Sequence, residues 1–452
     1  MIDSLLTSRT RVVSLALLAC MLTIRLSADV AAEPADPLAS LFPPEAMQDR
    51  ATLDLKRIED VSDEDFRRVT YEYTTFEWGG ETWRTKAVAI IPKTILDEHK
   101  GAVVLVVGNQ ANALAMAQQG FVAIALTAGA PGTHFGISNS GALMAHGQKK
   151  ALETGDPRWL GYAWLGKIFV RSVTAAQALG EFAADRFMVT GGSKWGAGSW
   201  IACAADERIV AAVPTAWNMG NMAEGLAIKA RRRGLDFAAG PPGAKGPGFA
   251  SVRQQLAAFQ HPNGAMSGAH QDPYEFRDRL ANKKVLYIAG ANDPLFHPLA
   301  QQTFLPHLPG DIRSFLAPNG VHGTSPWNPI ATRMWLAHVF DGRDVPRIEV
   351  SGEASDGQLQ VLAKVTTKTN VTSVQLWTCD DTLGKYVTGS IWTATPMRPS
   401  GTDTYTASVP LPTAGVMGYL VMVEDDDAAT VPGVMTSEFQ EFTVSALAAI
   451  QE

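Results

Sequence analysis

Short stretches rich in apolar and β-branched residues recur along the first three quarters of the chain, at 102–107, 121–126, 187–190, 209–214, 284–290 and 312–317. Stretches this short, closed by glycine, proline or a polar residue, predict strands buried on both faces, as in a parallel sheet. Between the first two lies a helical stretch to Gln119, which makes a strand-helix-strand unit. Residues 138–183 read as two helices broken near Gly155-Asp156-Pro157, and a last helix is expected at about 329–340. Residues 71–92 alternate apolar and polar positions around Gly79-Gly80, the pattern of an edge hairpin. Residues 216–282 break the rhythm. They are Gly- and Pro-rich from Gly240 to Pro247 and contain His261 and His270, so they are read as a helical cap over the C-terminal edge of the sheet.

Past Arg343 the period becomes two. Segments 358–366, 373–378, 404–409 and 418–424 are short, alternating and separated by turn residues, which predicts a β-sandwich of the immunoglobulin or fibronectin kind over 345–452. The other end of the chain carries Arg9 and Arg11, an apolar stretch at 12–22 and then Val30-Ala31-Ala32, the pattern of an export signal cleaved after Ala32. The expected organisation is a signal peptide at 1–32, a doubly wound α/β domain with a mostly parallel sheet at 33–344, and the sandwich. A periplasmic or secreted location follows. Leu17-Leu18-Ala19-Cys20 resembles a lipoprotein site, but the apolar stretch runs on past Cys20, so anchoring there is the lesser expectation.

Composition narrows the partners. A net charge of −7 with 46% apolar and 18% charged residues argues against nucleic acid or an anionic membrane surface. Arg231-Arg232-Arg233 is read as a solvated helix face, and after the leader no apolar run approaches the roughly 20 residues of a membrane span. Cys203 and Cys379 fall in different predicted domains, which excludes a disulfide framework. Oligomeric state is not encoded in any of these patterns.

The candidate chemistry begins at Gly191-Gly192-Ser193-Lys194-Trp195-Gly196, where a serine stands between a strand and a helix. In an α/β-hydrolase such a sharp turn lifts the hydroxyl out of the sheet and needs small neighbours, here Gly191 and Gly192. The hydroxyl is a weak nucleophile until a histidine takes its proton, and a carboxylate must orient that histidine. Asp293 follows the strand at 284–290 and His322 follows the strand at 312–317, in the chain order Ser, Asp, His. Alone, each has an ordinary reading as helix cap, turn residue or exposed loop residue; together, behind three strands, they predict a triad. Oxyanion donors are expected from the Lys194 N–H and from the loop holding Asn109 and Gln110, and the Lys194 ammonium is a candidate for holding an oxyanion or a substrate carboxylate. Trp195, Trp217 and Trp327 are candidates for the mouth of the site. No metal-ligand spacing or phosphate-binding loop competes, so neither metal nor cofactor is expected.

The segment from Ala151 through Gly155-Asp156-Pro157-Arg158-Trp159 to Phe182, the Gly-x-Ser-Lys-x-Gly turn, and the blocks at Asp272-Pro273-Tyr274, Gly290 to Asp293 and Pro318 to His322 resemble the PhoPQ-activated pathogenicity-related protein family. The resemblance covers most of the chain after the leader, with loops 108–112 and 128–132 matching loosely. It implies an exported α/β-hydrolase fold with a C-terminal β domain, Ser193 as nucleophile, Asp293 as acid and His322 as base. A serine-basic elbow also resembles that of glucuronoyl esterases, which puts carbohydrate esters among the possible substrates. The expected function is a serine esterase acting on a small-molecule, carbohydrate-ester or peptide substrate. The alternatives are a peptidase or amidase, and a binding or signalling protein on a hydrolase scaffold.

Overall fold

The computed structural model describes residues 36–444 apart from 109, 128–132, 218–219, 240–249, 382 and 428–429. The expected leader, Asn109, loop 128–132 and the Gly/Pro-rich stretch of the cap lie outside the described residues. A nine-stranded sheet forms the frame: β1 Lys56–Ser62, β2 Phe66–Trp78, β3 Glu81–Pro92, β4 Ala102–Val107, β5 Val122–Leu126, β6 Arg186–Gly192, β7 Ile209–Thr215, β8 Lys284–Gly290 and β9 Asp311–Ala317. Their order is β1-β2-β3-β5-β4-β6-β7-β8-β9. The pairs from β5 to β9 are parallel, and those among β1, β2, β3 and β5 are antiparallel. With β1 set aside this is the α/β-hydrolase order, in which the site-bearing loops follow the C-terminal ends of the parallel strands.

The β2–β3 hairpin turns at Gly79 and Gly80, both with positive φ. It is not an edge, because the polar and fully exposed β1 covers β2. Helices α1 Gln110–Ala117, α2 Ser140–Thr154, α3 Gly161–Leu179 and α4 Lys194–Ala205 flank the sheet. The Asn139 side chain caps α2, and Gly155 ends it in the left-handed region. Helices α3 and α4 press together through glycine: a Cβ on Gly166 would lie 2.7 Å from Ile201, and one on Gly198 would lie 2.9 Å from Leu165. That contact fixes the helix that Ser193 begins.

Within 216–282 the described residues form α5 Met222–Arg233, α6 Val252–Gln260 and α7 Ala265–Gln271. The basic run of α5 is not a uniformly solvated face. Arg231 is exposed and Arg232 reaches Glu441, but Arg233 is buried because it shares the inward spacing of Met222, Leu226 and Lys229. Helix α8, Asn328–Phe340, closes the α/β part.

The remaining strands form two antiparallel sheets: β10 Arg347–Ser355, β11 Gln358–Thr366, β12 Asn370–Asp381, β13 Thr393–Pro396, β14 Arg398–Pro399, β15 Thr404–Pro410, β16 Gly415–Asp426, β17 Gly433–Thr436 and β18 Gln440–Val444. One has the order β10-β11-β15-β14; the other is β13-β12-β16-β17, with β18 also on β16. Strand β16 is buried on both faces. Met417, Tyr419, Val421 and Val423 fill the core between the two sheets, while Val416, Leu420 and Met422 join the hydrophobic core of the α/β part. A fully buried Arg343–Asp425 pair, 2.9 Å apart, crosses the same junction. Cys203 and Cys379 are free and buried, and burial pushes each thiol up to about 12.

His297 sits in this junction. One ring nitrogen, Nε2, donates to the Gly384 carbonyl at 2.7 Å, and Nδ1 accepts from the Leu299 N–H at 3.2 Å, which defines a neutral imidazole. Burial, aided by the Arg233 and Arg232 charges, pushes its pKa from 6.5 down to about 3. A depressed folded pKa contributes stability that is present above pH 6.5 and is lost as pH falls toward 3. Unfolding free energy in urea is expected to fall across that window by up to about 1.4 kcal/mol per pH unit from this group, and His297→Gln should flatten that part of the slope. An unchanged slope in the variant would rule out His297 as its source.

Candidate active site

Ser193 is the residue at which β6 becomes α4, and its backbone is strained, with φ 57° and ψ −127°. Such a conformation costs on the order of 1–3 kcal/mol in a non-glycine residue and persists only where neighbours hold it. Here the Ser193 N–H donates to the Thr215 carbonyl at 2.8 Å, and the Ser193 carbonyl accepts from Gly196 at 2.7 Å. The small neighbours that the turn requires are Gly191 and Gly196. A Cβ on Gly191 would come 2.7 Å from the Trp195 Cβ, and one on Gly196 would come 2.7 Å from the Thr215 carbonyl oxygen. Gly192, by contrast, faces open space. Trp195 is not at a mouth: it is buried, edge-on to Phe169 at 6.0 Å.

The loops after β8 and β9 converge on this serine. Their backbones touch, since a Cβ on Gly290 would lie 2.4 Å from the carbonyl oxygens of both Gly320 and Val321, and the Asn292 N–H donates to Gly320 at 2.9 Å. Asp293 is 1% exposed, and its Oδ1 accepts from the N–H groups of Leu295 (2.8 Å) and Phe296 (3.3 Å). Its Oδ2 lies 2.8 Å from His322 Nδ1, and His322 Nε2 lies 2.9 Å from Ser193 Oγ. The carboxylate fixes the tautomer: Nδ1 carries the proton it donates, which leaves Nε2 bare to accept from the serine hydroxyl.

The other residues singled out from the sequence divide. The Lys194 N–H, at the start of α4, makes no hydrogen bond among the described residues. Its ammonium is half-buried without a partner there, and burial lowers its pKa. Gln110 opens α1 and is exposed. Trp217 is buried against Tyr162 (4.3 Å) and Phe296 (5.5 Å) and lines a cavity of about 740 Å³. Phe296 connects that cavity to the array, its ring centroid 6.0 Å from that of His322. Trp327 instead packs on Trp377, at the junction with the β-sheets. Other titratable residues near the sheet are engaged elsewhere: His134 pairs with Glu81 and stacks on Trp83, Asp272 accepts from the Asn221 and Met222 N–H groups that open α5, and Asp311 pairs with His338.

What sequence reasoning missed is the support. The Arg233 guanidinium donates to the carbonyls of Asp293 (3.0 Å), Pro294 (2.9 Å) and Phe296 (3.4 Å), and to those of Lys385 (2.9 Å) and Tyr386 (2.7 Å) from the β12–β13 connection. Along that connection Ser390 accepts from Asn292 at 2.6 Å, and the Trp392 indole donates to Asn292 at 2.9 Å. The Trp392 backbone makes a paired contact with the Asn319 amide at 2.8 and 2.9 Å. The inward helical spacing of Arg233 was a signal for its role; nothing local marks Trp392.

Residues 137–385, which span Ser193, Asp293 and His322, match the PhoPQ-activated pathogenicity-related protein family. The chain belongs to that family. It is also similar to autocrine proliferation repressor protein A of Dictyostelium discoideum, at 23% identity over 298 residues, or 60% of this chain. The match spans 58% of that relative's length. Among solved structures it is similar to an acetyl xylan esterase from Paenibacillus sp. R4 (16% identity, 66% of this chain and 92% of that one, TM-score 0.46). A second is acetyl xylan esterase 1 from Thermoanaerobacterium sp. JW/SL YS485 (15%, 64% and 90%, TM-score 0.45). No described helix of this family member is long and apolar enough to cross a membrane.

Removing the buried Trp392 ring is expected to destabilise the protein by about 3–5 kcal/mol in urea. In Trp392→Ala, amide hydrogen exchange should accelerate at 290–296 and 318–323 ahead of the rest of the sheet. Exchange that stays native at both loops would show that the β12–β13 connection is not what holds them.

Proposed function

We propose that this protein is an exported serine hydrolase that cleaves a carboxylic ester through an acyl-enzyme on Ser193. The observation that carries the reading is the unbroken relay from Ser193 Oγ through His322 to the buried Asp293, at 2.9 and 2.8 Å. In this mechanism His322 Nε2 takes the hydroxyl proton as Oγ attacks the ester carbon, and Asp293 stabilises the imidazolium. The charge on the carbonyl oxygen meets the Lys194 N–H, unpaired among the described residues, and a second donor expected from the loop after β4; each such donor supplies about 2.7–4 kcal/mol. His322 then protonates the departing alcohol, and a water activated by the same nitrogen releases the acid. Lys194 directly follows the nucleophile, and in this reading its half-buried ammonium adds positive charge at the developing oxyanion. An amide or peptide bond is the lesser candidate, because an amine leaves only after firmer protonation. The N-terminal pattern supports export, and the serine-basic elbow favours an ester of a carbohydrate or another small alcohol.

A fluorophosphonate probe is expected to modify the wild-type protein at a single residue, Ser193, and Ser193→Ala should lose both labelling and ester hydrolysis, the latter by about 10⁴-fold or more. Labelling that survives in Ser193→Ala, or no labelling of the folded wild type, overturns the proposal.

A further inference from the structure

The wall of the 740 Å³ cavity is mainly apolar: Trp217, Met222, Leu226, Phe259, Leu295 and Phe296 form much of it. Into this wall α5 places Lys229, which is 5% exposed. The lysine follows Met222 and Leu226 on the inward face, where helical spacing calls for another apolar residue. The other lysine of the lining, Lys149, pairs with Glu153 at the exposed rim. Lys229 has no hydrogen bond and no ion pair among the described residues; the half-buried Phe237 ring lies 5.9 Å from its Nζ. An ammonium left so in an apolar wall costs several kcal/mol, and an anion brought to it removes that cost.

We propose that Lys229 is an anion-recognition residue and that the ligand of this cavity carries an apolar body and a single carboxylate that pairs with the Lys229 ammonium. The apolar lining selects the body, and its size suits a small organic molecule. The single charge follows from the supply of cations. The neighbouring Arg233 is occupied by five backbone carbonyls, so one ammonium is available, and a dianionic phosphate would leave uncompensated negative charge in an apolar space. Burial pushes the Lys229 pKa down to about 8, with the Arg233 charge acting in the same direction and Asp293 against it. At neutral pH the side chain is still mostly protonated, and a bound carboxylate would raise its pKa again. The inference rests on the hydrolase reading only in calling this ligand a substrate, since Phe296 joins the cavity wall to His322; the preference for an apolar carboxylate is independent of it.

The test is calorimetric binding of phenylbutyrate and its neutral amide, phenylbutyramide, to the full chain. The carboxylate is expected to bind at least about tenfold more tightly than the amide, the worth of a charge-assisted hydrogen bond. That ratio should collapse to near one in Lys229→Met and return in Lys229→Arg, with circular dichroism confirming the fold of each. A wild-type ratio of one or below, or a ratio that Lys229→Met leaves intact, overturns the proposal, and the wild-type ratio decides even if the Met variant fails to fold. Probe labelling of Ser193 separates the two readings: labelling without carboxylate preference sinks this inference alone, and the preference without labelling sinks the hydrolase alone.

Discussion

The Arg233 guanidinium is the point on which the arrangement turns. It is buried, it faces no carboxylate within bonding distance among the described residues, and its charge is spread over the carbonyls of five residues. Burial lowers its pKa only to about 10, so the cation is retained and each carbonyl gains a charged donor. Three of those carbonyls belong to the segment that starts at Asp293 and two to the β12–β13 connection, while the arginine itself ends α5. Helix α5, the loop after β8 and the β12–β13 connection are therefore joined at one planar group. A carboxylate 1% exposed can present one oxygen to His322 because its other oxygen and its own carbonyl are already satisfied.

Strain at Ser193 is sustained by the same economy of contact. The left-handed serine survives because Thr215, Gly196 and the tight packing of α3 on α4 leave the turn no relaxed alternative. The loop after β9 is held from the far side, where Asn319, itself at φ 55°, is clasped by the Trp392 backbone. The β-sheets thus form one wall of the mounting in which the serine, histidine and aspartate meet.

Much of this was legible because periodicity tracks burial. The strands at 102–107 and 284–290 coincide with β4 and β8, the helix at 329–340 differs from α8 by a residue, and the triad order brought Ser193, Asp293 and His322 within hydrogen-bond reach. Strand β1 was illegible for the opposite reason: Lys-Arg-Ile-Glu-Asp-Val-Ser is exposed on both faces and carries no apolar signature. The edge assignment of the hairpin failed with it. Arg233 and Lys229 were hidden because charge suggests solvent, although their spacing from Met222 and Leu226 pointed inward. Trp392 could not be found at all, since its partners Asn292 and Asn319 are distant in sequence and meet it only through the fold.

Strand β16 carries a consequence for how the chain is made. Val416, Leu420 and Met422 complete a hydrophobic layer most of whose members precede the β-sheets in the chain, so the earlier α/β part leaves the ribosome with an unroofed apolar face. Final burial waits on a strand translated after every strand of the large sheet. A nascent chain of this design must be kept from aggregating until β16 has emerged and closed over that face.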